Sequence, residues 1–139
     1  MNDLLERALA LWRDPLPPGE AALHAFRSVY ADPVVVNGSP TDLQPLVDRA
    51  RMLQTALSDV AFEVHDVVEA AGRLAFAFTI TGRHSGTFVT PLGATPASGA
   101  AVSLTGLDIM TVDQHAGRVT AVWAVADWLT LARDIGAVA

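Results

Sequence analysis

The chain has 139 residues, of which 51% are hydrophobic and 17% are charged, so its composition suits a single domain with a buried core and excludes a disordered chain. The formal net charge is −6 and all nine basic residues are arginine, which argues against a nucleic-acid partner because phosphate binding needs a basic face. Because the sequence has neither cysteine nor lysine, disulfides, thiolate metal sites and Schiff-base chemistry are excluded.

Nothing in the sequence points to a membrane. No apolar run approaches the ~18 residues that a membrane span needs, and the N-terminal segment lacks a basic region followed by an apolar one. We therefore expect a soluble, cytoplasmic protein with no membrane partner. No repeat or linker marks a second domain, so one domain is expected over residues 1–139.

The first third of the chain predicts three helices and one short strand. Apolar residues at helical spacing indicate helices over residues 3–13 and 20–30, separated by a segment rich in proline. Residues 34–36 form a β-branched strand that stops at the turn dipeptide Asn37-Gly38. Residues 39–42 then open a third helix, which carries apolar positions from Leu43 to Leu57.

The rest of the chain predicts two long hairpins and a closing helix. Alternating apolar residues indicate one hairpin with strands over 60–70 and 74–80, and a second with strands over 102–112 and 118–126. A final helix follows over 128–135. The segment 86–99 is rich in Gly, Pro, Thr and Ser, and we interpret it as a lid or rim of a functional site.

Helices followed by strands in hairpins predict an α+β fold, in which three helices pack on one face of an antiparallel sheet. A strongly curved sheet of this kind can close around a pocket. Two acids stand out: Asp108 lies in the middle of an apolar strand, and Asp127 shares a strand face with Trp123. We expect Trp123 and Asp127 to line one wall of the pocket, roughly 13 Å apart at ~3.3 Å per residue.

Several motifs occur in order along the second half of the chain. They are Gly82-Arg83-His84-Ser85-Gly86-Thr87-Phe88, the loop from Pro91-Leu92-Gly93 to Ser98-Gly99, Gly106-Leu107-Asp108, Gly117-Arg118-Val119, Trp123, Asp127 and Ile135-Gly136. Together they resemble the SnoaL-like polyketide cyclases of the nuclear transport factor 2 superfamily. The resemblance implies a cone-shaped α+β fold and a homodimer formed through the outer face of the sheet. It also implies cofactor-independent ring closure of a polyketide-type intermediate by intramolecular aldol condensation.

The resemblance implies that Asp127 is the general acid and base. Apolar neighbours such as Trp123 and Trp128 would raise the pKa of this carboxyl by desolvation, which would make its carboxylate a better base. The alternative is a purely structural N-cap of the closing helix. We expect Asp127 to face a pocket; if it faces bulk water, the enzymatic interpretation gives way to a binding scaffold.

Asp108 is a second catalytic candidate, because a charge in mid-strand is costly unless it is paired or faces a cavity. It is either a pocket acid, which shares protons with Asp127 or orients a substrate hydroxyl, or one partner of a salt bridge with Arg118 or Arg83. His84 is the third candidate, implied by the resemblance. A neutral imidazole there could donate a hydrogen bond to a developing enolate, and an exposed position at a strand end is the alternative.

Seven residues are candidates for substrate binding. Arg83 could bring a cation to the pocket rim, and Asn37 ends the first strand where the family often has a polar pocket residue, with a turn as the alternative. His65 is more typical of a surface strand. Aromatic residues are most often core, but a cone lined by some of them would suit a flat polycyclic or extended polyketide. The full set is Asn37, Trp123, Arg83, Phe88, His65, Tyr30 and Met110.

The four histidines are scattered and show no metal-binding spacing, so we expect neither a metal nor a cofactor. Another small-molecule cyclase, a hydratase or an epoxide-opening enzyme could use the same fold, and so could a non-catalytic ligand-binding or dimerisation module. An enclosed pocket with Asp108 and Asp127 both facing inward favours an enzyme. A cone filled by side chains favours the module.

Overall fold

The computed structural model describes the backbone of residues 2–138 and the side chains of residues 3–138. The domain predicted over residues 1–139 includes Met1 and Ala139, which lie outside the described part. The elements of this part are α1 Asn2–Arg13, α2 Glu20–Arg27, β1 Tyr30–Val36, β2 Ser39–Thr41, α3 Leu43–Ala56, β3 Leu57–Ala70, β4 Arg73–His84, β5 Phe88–Thr90, β6 Gly93–Thr95, β7 Ala101–Asp113, β8 Arg118–Ala126 and α4 Trp128–Asp134.

Six strands form one curved sheet in the order β2-β1-β8-β7-β4-β3. Neighbouring strands run antiparallel except β1 and β8, which pair in parallel with Val35 opposite Ala121. The predicted α+β class is therefore confirmed, and the sheet is mixed rather than wholly antiparallel. Alternation in a sequence fixes the two faces of a strand but not the direction of its partner, so the parallel pairing left no signal.

The second helix is shorter than predicted, because it ends at Arg27 and the chain enters β1 at Tyr30. The prediction extended the helix because Phe26 and Tyr30 have helical spacing. Their rings do stack, with centroids 5.8 Å apart, but they do so across the turn between helix and strand. The segment predicted as a lid or rim contains the short hairpin of β5 and β6.

The helices cover the inner face of the sheet and form the main core with it. Leu9 of α1, Leu46 of α3 and Leu74 of β4 are all buried in one cluster. Burying a side chain of this size stabilises the fold by about 1.5–3 kcal/mol. A second buried cluster lies where α4 meets the loop after β4, and it includes Phe88 and Leu131. The two clusters hold the helices and the loop on the same side of the sheet.

The loop after β4 is fixed to the end of α3. The backbone N–H groups of Ser85 and Gly86 both donate to the carbonyl oxygen of Ala56, each at 3.0 Å. A Cβ atom at Gly86 would collide with the carbonyl oxygen of Thr55. Any side chain there would have to push the loop off the helix.

We expect Gly86→Ala to lower the free energy of unfolding by about 1–3 kcal/mol, because overpacking against a backbone atom forces a shift. Urea denaturation followed by circular dichroism measures the change. Ser85→Ala, at the exposed neighbouring position, is the matched control and should stay within ~0.5 kcal/mol of the parent protein. Equal stability of the two variants would show that stability does not depend on the close contact between Gly86 and the backbone of α3.

Candidate active site

A cavity of about 500 Å³ opens between the helices and the inner face of the sheet. Its walls come from α1, α3, the long strands, the β5 hairpin and the start of α4. Most of the lining is apolar or aromatic, which is typical of small-molecule sites. The polar groups among its described lining residues belong to Asp108, Arg49, Tyr30, Asn37, Thr90 and the indoles of Trp12 and Trp128.

Asp108 projects into this cavity from the middle of β7. It stands in register between Phe76 of β4 and Ala124 of β8, on the strand face that also carries Leu104 and Met110. Burial raises the pKa of its carboxyl to about 7, because an ionised carboxylate loses hydration there. A shift of this size brings the titration of the carboxyl into the neutral pH range.

A salt bridge between Asp108 and Arg118 or Arg83 is not present. Arg118 donates through Nε to the carbonyl oxygen of Arg27 at 2.7 Å, and Arg83 donates through Nη1 to the carbonyl oxygen of Gly99 at 2.7 Å. Within the described part of the chain, neither a hydrogen bond nor a charge offsets the effect of burial on Asp108. Of the two roles that the sequence left open for Asp108, the structure supports the pocket acid.

Tyr30 lines the same cavity. Its side chain is buried, and the indole Nε1–H of Trp12 donates to its hydroxyl oxygen at 3.2 Å. Burial raises the pKa of Tyr30 to about 12, with a smaller contribution from the charge of Asp108. The phenol therefore stays protonated at neutral pH.

Three phenylalanines make one wall of the cavity aromatic. Phe62 of β3 and Phe78 of β4 stack with ring centroids 6.5 Å apart and planes inclined by 9°. Phe76 lies next to Phe78 on β4, with centroids 5.6 Å apart. Such a wall suits a planar or extended apolar molecule.

Asp127 does not face the cavity. It is exposed at the start of α4, where its Oδ1 accepts from the backbone N–H of Thr130 at 3.0 Å and its Oδ2 accepts from the Thr130 hydroxyl at 2.6 Å. These hydrogen bonds lower the pKa of the carboxyl, which is opposite to the rise that we expected from apolar neighbours. The structure shows the helix cap, and by the condition set from the sequence this outcome favours a binding scaffold. An enzymatic interpretation then has to be based on a residue other than Asp127.

Trp123 lies on the outer side of the sheet and is 59% exposed. The side assigned to Trp123 was wrong, because both faces of β8 are apolar, and the strand alternation does not reach Asp127, because β8 ends at Ala126. His65 is also exposed and outside the cavity, with its Nε2 2.6 Å from the Thr79 hydroxyl. The residues of β8 that line the cavity are Val122, Ala124 and Ala126, which alternate with Trp123, together with Val125.

His84 and Phe88 brace the loop after β4 and do not line the cavity. His84 is fully buried, and its Nδ1 accepts the backbone N–H of Ser98 at 3.1 Å. Phe88 packs against it with ring centroids 6.2 Å apart. Arg83 ties the other end of the same segment through Gly99, as described above. These three predicted site residues therefore hold the loop that borders the cavity.

Asn37, Tyr30 and Met110 are the predicted substrate-binding residues that line the cavity. Asn37 also joins β1 to β8, because its Oδ1 accepts the backbone N–H of Ala124 at 2.8 Å and its Nδ2 donates to the carbonyl oxygen of Ala124 at 3.2 Å. Its φ of 49° fits the turn that its Asn-Gly dipeptide predicted. Asn37 thus lies in a turn and also contributes a polar group to the cavity wall.

Arg49 and Trp12 line the cavity and were missed as site residues. Both lie on helices, where a helical period separates a core face from a solvent face but does not say which positions border an empty space. The two residues become visible only when α1 and α3 are placed over the sheet. By contrast, Asp108 could be found from sequence, because a charge interrupts an apolar strand.

Among the described residues, no group of three or more His, Asp or Glu side chains is placed to hold a metal ion. No helix within residues 2–138 is both long enough and apolar enough to cross a membrane. The polar groups of the cavity are a carboxyl, a phenol, an amide, a guanidinium, a hydroxyl and two indole N–H groups.

The chain matches one protein family and several solved structures. The sequence model of the SnoaL-like polyketide cyclases matches residues 3–135. TsrD from Streptomyces laurentii has the same fold, with a TM-score of 0.79 at 20% identity over 99% of this chain and 95% of that one. A SnoaL-like polyketide cyclase from Agrobacterium tumefaciens gives a TM-score of 0.71 at 22% identity over 95% and 94% of the two chains. Among curated proteins there is no match.

We expect Asp127→Ala to lower the Tm, because the first turn of α4 loses its acceptor, whereas Asp127→Asn should retain most of the stability, since asparagine caps about as well. The folded-state pKa of this carboxyl is lowered, so its stabilising effect is present above the pKa of the unfolded chain and is lost as the pH falls through the folded-state value. The difference in Tm between the parent protein and Asp127→Ala should therefore narrow in acid. Thermal denaturation across pH measures it, and a difference that does not depend on pH would contradict the charged cap.

Proposed function

The chain belongs to the SnoaL-like polyketide cyclase family, and we propose that it closes a ring in a polyketide-type intermediate without a cofactor. The observation that carries the proposal is Asp108, a carboxyl with a pKa of about 7 that faces a cavity of about 500 Å³. A group whose pKa lies near the working pH is present in both protonation states. A catalyst that takes a proton and then returns it requires such a group.

Asp108 carries out both proton transfers. As a carboxylate it takes a proton from the carbon next to a substrate carbonyl, and the C–H electron pair becomes the C=C bond of an enolate. The enolate carbon attacks a second carbonyl carbon of the same molecule and forms the new C–C bond. The oxygen of that second carbonyl takes the proton back from Asp108, which returns to its starting state. This aldol closure needs no electron donor or acceptor.

The cavity supplies proximity and shape. Holding two carbonyl groups of one molecule together makes the C–C bond-forming step effectively unimolecular with little loss of entropy at the moment of reaction. The stacked rings of Phe62 and Phe78 favour a flat or extended substrate, and the apolar lining keeps water away from the enolate. The residues thus support a polyketide-type substrate over a small polar one.

Two other interpretations fit fewer observations. We took an enclosed pocket with two inward acids as the sign of an enzyme, and this condition is only half met, because Asp108 lines the cavity whereas Asp127 is an exposed helix cap. A binding module would more typically fill its cone with side chains, whereas this one is open. A cyclase, hydratase or epoxide-opening enzyme that works by shape alone would not need a carboxyl with a raised pKa, and loss of Asp108 would then have a mild effect.

We expect Asp108→Asn to lower the rate of α-proton exchange by roughly 10²- to 10⁴-fold, the usual contribution of a positioned acid and base. The probe is 2-acetylnaphthalene, a flat apolar ketone, and NMR follows deuterium uptake into its methyl group in heavy water. In the parent protein the rate should rise as the pH passes through about 7, because Asp108 becomes ionised.

Asp127→Asn is the matched control for this experiment, because it makes the same chemical change at the exposed helix cap. It should keep the exchange rate of the parent protein. Equal rates for Asp108→Asn and the parent would contradict the proposed role of Asp108 and favour catalysis by shape. If the parent protein causes no exchange above the rate in buffer, the binding module is favoured instead.

We further propose that the chain forms a homodimer through the outer face of the sheet. Exposed apolar side chains lie there in two adjacent rows of the strand register. None of them is charged, and the nearest acid in these rows, Asp66, lies at the β3 end of one row, so a second copy could cover the apolar patch across a two-fold axis. The residues of this outer patch are Val68, Leu107, Ile109, Trp123 and Val125.

Ile109→Glu, within the outer patch, should convert the dimer into a monomer, because a carboxylate buried without a partner in the interface is costly. Sedimentation velocity over a range of concentrations measures the change. Leu92→Glu is the control, since Leu92 is exposed in the turn between β5 and β6 and its substitution should leave the dimer intact. A parent protein that sediments as a monomer would rule out the dimer.

A further inference from the structure

Tyr30 has a buried hydroxyl proton without an acceptor among the described residues. The Nε1–H of Trp12 donates to the hydroxyl oxygen at 3.2 Å, so this contact uses a lone pair of the oxygen and leaves the phenolic proton unbound. Tyr30 is 4% exposed, and buried polar groups in proteins nearly always find their partners. The hydroxyl is therefore available to donate to a ligand.

Tyr30 lines the main cavity. Trp12, whose N–H reaches the hydroxyl oxygen, lines that cavity, and so does Asp108, whose charge acts on the phenol. The ring itself is held in place by stacking on Phe26. Because Tyr30, Trp12 and Asp108 border the same cavity, a ligand in that cavity can accept the hydrogen bond that the phenol still has to donate.

We propose that Tyr30 is a second catalytic residue, which donates a hydrogen bond to the carbonyl oxygen of the group from which Asp108 takes its proton. The inference rests on the proposed function and narrows its substrate class. The reacting group is a ketone or ester carbonyl that carries hydrogen on the adjacent carbon. Its oxygen lies against Tyr30 and its α-carbon lies against Asp108.

Negative charge moves from Asp108 to the oxygen that faces Tyr30. When Asp108 takes the α-proton, the C–H electron pair forms the C=C bond and the carbonyl π pair moves onto the oxygen. Tyr30 keeps its own proton, because its pKa is about 12, and its hydrogen bond strengthens as the oxygen gains charge. A donor that is fixed in place beforehand stabilises the transition state without reorganising.

Trp12 is a positioning residue that acts through Tyr30. Its N–H fixes the rotation of the hydroxyl group, and linked hydrogen bonds polarise and strengthen one another. The indole therefore aims the phenolic proton and makes it a better donor.

Tyr30→Phe tests the role with little change in shape. We expect kcat for deuterium exchange into 2-acetylnaphthalene to fall roughly 10²- to 10³-fold, the range for loss of one oxyanion donor. KM should change little, because this hydrogen bond strengthens mainly as charge develops. The midpoint of the pH–rate profile should remain that of Asp108. Trp12→Phe, which removes the N–H but keeps the phenol, should lose less in kcat, again with KM little changed.

Asp108→Asn and the parent protein, measured alongside, separate this inference from the proposed function. Exchange that depends on Asp108 but not on Tyr30 overturns the inference and leaves the proposed function standing. Absence of exchange by the parent protein overturns both. Urea denaturation reports the folded fraction of each variant, and a fall in kcat that only follows a fall in folded protein contradicts a catalytic role for the hydroxyl.

Discussion

An ionised carboxylate on the apolar face of a sheet is costly, because no cation or hydrogen-bond donor replaces the water that it loses. Asp108 occupies such a place, between Phe76 and Ala124. The cost raises its pKa to about 7, so the group can hold or release a proton in neutral solution. A carboxyl with a purely structural role is usually paired with a cation, as Asp32 is with Arg27 at 3.2 Å. Otherwise it is exposed and caps a helix, as Asp127 does.

The surrounding fold keeps the Asp108 carboxyl largely buried and yet accessible to a ligand in the cavity. The helices pack along the inner face of the sheet but leave a cavity over β7, so that a ligand can approach from the helix side. Asn37 binds the backbone of Ala124, which stands opposite Asp108 in the register and so fixes the strand beside it. Gly86 allows the loop after β4 to lie against α3, and the hairpin that follows this loop contributes to the wall of the cavity.

Long apolar patterns predicted α1, α3, both hairpins and the closing helix, because each pattern is set by neighbours along the chain. The parallel pairing of β1 with β8 was not predictable, since it joins segments far apart in sequence. The site shows the same limit: apolar residues lie on both faces of β8, so alternation could not show that Trp123 faces outward, and the strand ends before Asp127, which caps α4. Tyr30 was a candidate from sequence. Only the structure shows that Trp12 donates to its hydroxyl oxygen and leaves the hydroxyl hydrogen available to a ligand.

The protonation of Asp108 itself is the most direct test of the central claim that burial tunes this carboxyl for proton transfer. Carbon-13 NMR of the aspartate carboxyl groups follows a single side chain across pH, and Asp108→Asn assigns its resonance by removing it. We expect a titration midpoint near 7, about three pH units above the value of ~3.9 for an ordinary aspartate. A midpoint close to ~3.9 would contradict the claim, because Asp108 would then be an ordinary surface-like carboxylate and a poor base.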